Sequence, residues 1–264
     1  MIGLRSAAAR QISAKSSRIS SRLLTMHRFF APRQSFTPTS VTLDETESRH
    51  LRTVLRLRSD DEVLVFDGDG SEYLCTIAEG GGRQQTLTIK SQVDPGSPES
   101  PLQLVLASAL LKGDKFDLVV QKAVELGVTE ILPLFTERCD VKFAGSEKRI
   151  ERWNRIALDA TKQCGRAKLM KVSAPIRFDD LLAEQRGGET LLFAEAGGEG
   201  LDPVPGASAL TAIVGPEGGW SAEEIEKARK AGFNLITLGG RILRAETASI
   251  AITALLQHRF GDLI

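Results

Sequence analysis

The chain has 264 residues with 42% apolar side chains, enough for one or two domains with a real core and too much for a disordered chain. Its 34 basic and 34 acidic side chains balance, so a nucleic-acid partner must be held by local basic patches rather than by overall charge. No run approaches the roughly 18 uninterrupted apolar residues of a membrane span, and Cys75, Cys139 and Cys164 stand too far apart for a C-x-x-C pair, so neither disulfide nor metal is expected.

Residues 1 to 43 contain no acid but carry Arg5, Arg10, Lys15, Arg18, Arg22, Arg28 and Arg33 among Ser and Ala. Such an opening reads as an organellar transit peptide or as leader upstream of a true start at Met26. The first reading places the protein in the mitochondrial matrix or plastid stroma, the second in the cytoplasm. Without residues 1–25, which hold five basic side chains and no acid, the balance of 34 and 34 falls to a net charge of −5.

From Met26, His27-Arg28-Phe29-Phe30-Ala31-Pro32 reads as a short edge element. Thr42-Leu43-Asp44-Glu45 forms a capping-box pattern opening a helix through Leu57 with a basic side of Arg49, Arg52, Arg56 and Arg58. Glu62 to Phe66, Glu72 to Ala78 and Thr86 to Lys90, separated by Asp67-Gly68-Asp69-Gly70 and Gly80-Gly81-Gly82, predict a small β barrel or sheet over 26–94. The proline-rich stretch Pro95 to Pro101 continues neither helix nor central strand and marks a linker.

Strands and helices alternate over 102–264. Apolar runs at Leu102 to Leu111, Glu130 to Phe135, Thr190 to Ala194, Leu210 to Val214 and Asn234 to Leu238 predict strands. Asp114 to Leu126, stopped by Gly127, and Lys148 to Cys164, stopped by Gly165, carry helical stripes. Ser221 with Glu224 predicts a capping box, Gly232 closes that helix, and Glu246 to Phe260 reads as a buried last helix. The alternation predicts a parallel sheet with helices on both faces. Two Gly-rich turns, Gly215-Pro216-Glu217-Gly218-Gly219 and Leu238-Gly239-Gly240, each follow an apolar run. If those runs are parallel, both turns line one crevice at the carboxyl edge of the sheet. Neither a phosphate-loop lysine nor G-x-G-x-x-G accompanies them.

Glu125-Leu126-Gly127-Val128, Gln163 with Arg166, Gly215 to Gly219 and Leu243-Arg244-Ala245-Glu246-Thr247-Ala248 stand in order behind Arg28-Phe29-Phe30, Val54-Leu55-Arg56 and Phe66-Asp67-Gly68. This combination resembles the ribosomal RNA small-subunit methyltransferase E family, uridine-N3 methyltransferases of 16S rRNA. The resemblance implies a PUA-like RNA-binding barrel followed by a SPOUT-type α/β domain with a trefoil knot, acting as a homodimer on 16S rRNA or an assembled small subunit. It also implies S-adenosylmethionine held by Phe193, Glu195, Gly215, Glu217, Gly218, Gly219, Leu238, Gly239, Ile242, Leu243, Arg244, Thr247 and Ala248.

The chemistry implied is loss of the uracil imide proton and attack of N3 on a sulfonium methyl. Arg166 is the expected stabiliser of the resulting anion, Gln163 the residue that positions it or the base, and Glu246 the expected base or helix cap. Arg28, Arg49, Arg52, Arg56, Lys112 and Lys115 are the expected phosphate contacts. Ala245 replaces the family's usual threonine, and Ala167-Lys168-Leu169-Met170 lacks its usual proline. Two other readings keep most of these motifs: a ribosome-assembly RNA-binding protein without turnover, and a methyltransferase of the same fold acting on tRNA or a ribose hydroxyl.

Overall fold

A computed structural model describes residues 25–141, 146–184, 186–194, 198–201 and 207–263. The expected leader therefore lies almost wholly outside the described residues. Two compact units emerge, one holding residues up to Pro98 together with Lys162–Lys168, the other Glu99–Thr161 and Leu169 onward. The division falls inside the proline-rich stretch, and the return of 162–168 to the first unit has no counterpart in the local sequence pattern.

The first unit contains β1 (Arg28–Phe30), β2 (Ser40–Leu43), helix α1 (Glu45–Arg49), β3 (Glu62–Phe66), β4 (Glu72–Ile77) and β5 (Gln85–Val93). The sheet order is β1-β3-β4-β5-β2, with β1 running parallel to β3 at one edge and the other pairs antiparallel. Alternation along the strands turns Val63, Val65, Cys75, Ile77 and Leu87 onto a core with Phe29, Val41, Leu43 and Leu51. Burying each such large aliphatic or aromatic side chain contributes about 1.5–3 kcal/mol. Burial also pushes the Cys75 thiol up to about 12, so Cys75 acts as a small apolar core residue. The aspartate turn forms as the sequence predicts: Asp67 accepts from the N–H groups of Asp69 and Ser71, and Gly68 and Gly70 adopt φ of +85° and +113°.

Thr42 stays in β2, so the predicted Thr42/Glu45 box does not form; Asp44 caps α1 instead, accepting the N–H of Glu47 at 2.8 Å. The helix does not run on to Leu57. Its continuation, His50–Val54, is a π-helical turn that places Val54 63% exposed and ends at Arg56 with φ +56°. The left-handed backbone of Arg56 is one an α-helix cannot continue through.

The second unit contains β6 (Gln103–Ala109), α2 (Lys115–Glu125), β7 (Glu130–Phe135), α3 (Ser146–Cys164, whose last three residues cluster with the first unit), β8 (Lys171–Val172), β9 (Ile176–Arg177), α4 (Phe178–Ala183), β10 (Glu189–Phe193), β11 (Ala209–Val214), α5 (Ala222–Lys230), β12 (Asn234–Ile236) and α6 (Ala245–Phe260). The strand order is β12-β10-β11-β6-β7-β8, β9 also pairs with β7, and every pairing is parallel. One face packs Ala107, Leu132, Leu134, Leu192 and Ile213 against Phe178 and Leu181 of α4 and Ala228 of α5. The other receives α6, where the Ser108 and Ser249 hydroxyls meet at 3.2 Å. Helices thus cover both faces. Among the described residues no helix is long and apolar enough to cross a membrane, and no group of three His, Cys, Asp or Glu is placed to hold a metal ion.

Candidate functional site

The register of the parallel sheet creates the site. Phe193 of β10 stands beside Val214 of β11 and beside Ile236 of β12, so three strands end level with one another. The loops that leave them enter the same space. Gly215 to Gly219 then turns into α5 through the predicted box, with Ser221 Oγ accepting the N–H of Glu224 at 3.2 Å and Glu224 Oε2 accepting the N–H of Ser221 at 3.0 Å. The other Glu224 oxygen accepts the N–H of Glu137 at 2.8 Å, tying this loop to the one after β7.

Between the loops lies a cavity of about 440 Å³, within the roughly 300–1,000 Å³ of small-molecule sites. Phe193, Gly215, Glu217, Gly218, Gly219, Leu238, Gly239, Ile242, Leu243, Arg244 and Ala248 line it, all of them positions singled out in the sequence. Thr247, on the first turn of α6, is exposed and does not line the cavity, while Glu195 lies outside the described residues. Ile242 is 80% exposed at this cavity.

Two glycines are required by close approach. A Cβ on Gly215 would stand 2.9 Å from Cε2 and Nε1 of Trp220, and one on Gly218 would stand 3.0 Å from the Arg138 Cβ. Trp220 in turn donates from Nε1 to the Phe193 carbonyl at 2.7 Å and packs on Phe178 at 4.9 Å between ring centroids. The indole thereby fixes the end of β10 against the glycine loop.

Charge surrounds the mouth. Arg138 donates to the Gly218 carbonyl at 3.1 Å, and Lys115 pairs with Glu217 at 2.7 Å. Lys112 pairs with Asp140 at 2.8 Å, and its hydrogen bond to that carboxylate holds its ammonium above the ordinary lysine range. Arg241 and Arg244 line the cavity and are exposed. Sequence reasoning named the last loop, which holds Arg241, without singling that residue out, and missed Arg138 and Trp220 as lining residues. Trp220 directly follows the glycine motif and Arg241 sits inside the last one; Arg138 was findable only from its place beyond the carboxyl end of β7.

Glu246 sits on the first turn of α6 between the lining residues Ala245 and Ala248, and its Oε2 is buried without a hydrogen-bond partner among the described residues. Gln163 is exposed at the end of α3. Arg166 is 3% exposed and belongs, with Gln163, to the segment that clusters with the β domain.

The expected phosphate contacts divide. Arg49 and Arg56 are exposed on the α1 and π-turn surface, and Arg56 holds the left-handed backbone often found at functional positions. Arg52 is engaged by the carbonyls of Gly82 and Arg83. Lys112 and Lys115 carry the ion pairs described above. Arg28 departs furthest from the expectation: its side chain is 11% exposed and bonded to Glu72 and to two backbone carbonyls, because a buried carboxylate and carbonyls need those donors.

Residues 98–257 match the RNA methyltransferase domain, and residues 43–90 match the RNA methyltransferase PUA domain. Fold and site together define a two-domain RNA methyltransferase of the α/β, SPOUT type with an amino-terminal PUA domain. Ribosomal RNA small subunit methyltransferase E of Mesomycoplasma hyopneumoniae is 34% identical over 230 residues, 85% of this chain and 96% of that protein. Its counterpart from Synechocystis is 35% identical over 237 residues, covering 87% and 76%. The chain belongs to the ribosomal RNA small subunit methyltransferase E family.

Among solved structures, the Neisseria gonorrhoeae ribosomal RNA small subunit methyltransferase E bound to S-adenosyl methionine superposes with a TM-score of 0.83 at 34% identity, covering 90% of this chain and 100% of that one. A Legionella pneumophila putative methyltransferase in complex with the same cofactor gives 0.84 at 33% identity, covering 90% and 99%.

Proposed function

We propose that this protein methylates N3 of a specific uridine in small-subunit ribosomal RNA, with S-adenosylmethionine as methyl donor. The observation that carries the reading is the cavity at the level ends of β10, β11 and β12, lined by the glycine loops and by Leu238, Ile242 and Leu243, in a member of a family whose solved relatives hold that cofactor. The fit is chemical as well as spatial. Gly239, with open space where a Cβ would stand, would let the backbone approach a heterocycle, Leu238, Ile242 and Leu243 would cover its faces, and Arg138, Arg241 and Arg244 would offer cations to a carboxylate. The trefoil knot belongs to this proposal.

When bound, S-adenosylmethionine supplies an electrophilic methyl group on a sulfonium. The protein's part is to make N3 of uracil a nucleophile. Loss of the imide proton spreads negative charge onto O2 and O4, and the Arg166 guanidinium offers two parallel donors to that charge. Gln163 positions the base by its amide. Glu246, with a buried oxygen that lacks a partner among the described residues, takes the proton. Lys112 and Lys115, already paired with Asp140 and Glu217, reach phosphate by exchanging those carboxylates.

The protein works as a homodimer. Leu118 on α2 and Leu255 on α6, two helices that pack together, are 39% and 41% exposed, apolar side chains that a second copy would cover. It acts wherever small ribosomal subunits are assembled. Arg49 and Arg56 supply phosphate contacts from the PUA domain: replacing both by Ala lowers the slope of log K against log salt by about 0.7–0.9 per lost contact while cofactor affinity stays at the wild-type value. A slope equal to wild type removes this patch from the RNA interface. The function itself is tested by transfer of labelled methyl from S-adenosylmethionine to small subunits lacking the modification; transfer to their rRNA supports it, and cofactor binding without transfer supports the assembly-protein alternative.

A further inference from the structure

The segment Lys162–Lys168, which carries Gln163 and Arg166, is bound into the β domain by groups the proposed reaction does not use. Arg28 donates from Nε to Glu72 Oε1 at 2.7 Å, from Nη1 to the Lys162 carbonyl at 2.9 Å and from Nη2 to the Arg166 carbonyl at 2.9 Å. Its guanidinium lies over the Phe66 ring at 5.1 Å. One planar cation therefore grips both ends of the turn that holds the two residues assigned to chemistry. A second ion pair joins Lys162 to Glu47, a carboxylate 6% exposed whose other oxygen faces the Phe30 N–H at 3.4 Å. Gly165, with φ +89°, is held at its carbonyl by the Ser97 N–H at 3.0 Å, and Lys168 bridges to Gly68 and Asp69.

We propose that Arg28 is a positioning residue for methyl transfer rather than a phosphate contact: its three-point fork, anchored on Glu72, fixes the turn 162–166 and so sets the direction of the Arg166 side chain. The inference rests on the assignment of Arg166 to the uracil anion. The fork geometry is what matters. A lysine carries the same charge but a single ammonium, which cannot serve a carboxylate and two carbonyls in one plane. Glu72 is fully buried, so removing the cation outright would leave an uncompensated carboxylate and threaten the fold.

The test therefore uses Arg28→Lys in the full chain, with Glu72→Gln as a second variant that keeps the acceptor and removes its charge. Both are compared with wild type for kcat, KM for the cofactor and the salt slope of RNA binding. In Arg28→Lys, kcat falls about 10–100-fold while cofactor KM and salt slope stay unchanged, as expected of a misplaced catalytic group. Glu72→Gln gives a smaller loss of kcat of the same kind. Wild-type kcat in either folded variant overturns the inference. So does a flattened salt slope in Arg28→Lys at normal kcat, which would make Arg28 a phosphate contact. Arg166→Ala, measured alongside, separates the two claims: if it retains full turnover the assignment of Arg166 fails, whereas an inactive Arg166→Ala beside a fully active Arg28→Lys overturns only the role of Arg28.

Discussion

Arg166→Ala lowers the rate of methyl transfer by at least about 100-fold and leaves the affinity for S-adenosylmethionine at the wild-type value. The size follows from what the residue is asked to do. N3 of uracil reacts only as the anion of the imide, and a fixed cationic donor aimed at developing negative charge contributes about 10²–10³ in kcat where such donors have been deleted. The separation from cofactor affinity follows from placement on the chain. Arg166 lies beyond α3 in the segment clustered with the β domain, while the cavity lining comes entirely from the other unit. Arg166→Lys keeps the charge and loses the paired donors, so it recovers only part of the rate. Isothermal titration of the cofactor beside single-turnover transfer makes the comparison. An Arg166→Ala protein that turns over at the normal rate has no electrostatic debt at this position, and the assignment falls with it.

Gly215→Val produces the opposite pattern: cofactor affinity falls at least about tenfold, and RNA binding keeps its salt dependence. The first added carbon would stand 2.9 Å from the Trp220 indole, and valine adds two further methyl groups around it. That indole cannot retreat freely. It holds the Phe193 carbonyl at 2.7 Å and rests on Phe178, so relief of the clash moves the end of β10 and the cavity wall together. Overpacking of this kind costs about 1–3 kcal/mol, and each 1.4 kcal/mol lost from the bound state is a factor of ten in affinity. Equilibrium binding of the cofactor reads the effect directly, and denaturant unfolding shows that the variant is folded. Unchanged cofactor affinity would mean that the glycine is a plain strand-to-helix turn and that the cavity is not the cofactor site.

The glycine loop shows why so much of this site was legible in the sequence. An apolar run, a turn that only glycine fills, and a Ser221/Glu224 box are all local signals, and the local geometry follows each of them. Three such runs ending beside one another bring their loops together through register alone. Signals that are not local were invisible. β8 and β9 have two residues each, too few to show any period, and α4 follows β9 without an intervening turn. The Arg28 fork reaches carbonyls 134 and 138 residues away, and nothing in Arg28-Phe29-Phe30 distinguishes a structural guanidinium from one waiting for phosphate. The basic stretch after Asp44 begins a helix two residues later than the Thr42/Glu45 box predicts, with Asp44 as its cap, and passes into a π-turn and the left-handed Arg56 rather than a longer helix. Arg138 lies far from the glycine motifs in sequence and joins them only through the parallel order of β7, β6 and β11.

The most direct measurement is the identity of the product nucleoside. The protein from Met26 to Ile264, incubated with isotope-labelled S-adenosylmethionine and small ribosomal subunits from cells lacking the modification, transfers label to the rRNA, and digestion followed by mass spectrometry gives 3-methyluridine. Label on a ribose hydroxyl, on another base or on transfer RNA, or no transfer with the cofactor bound, would contradict the account.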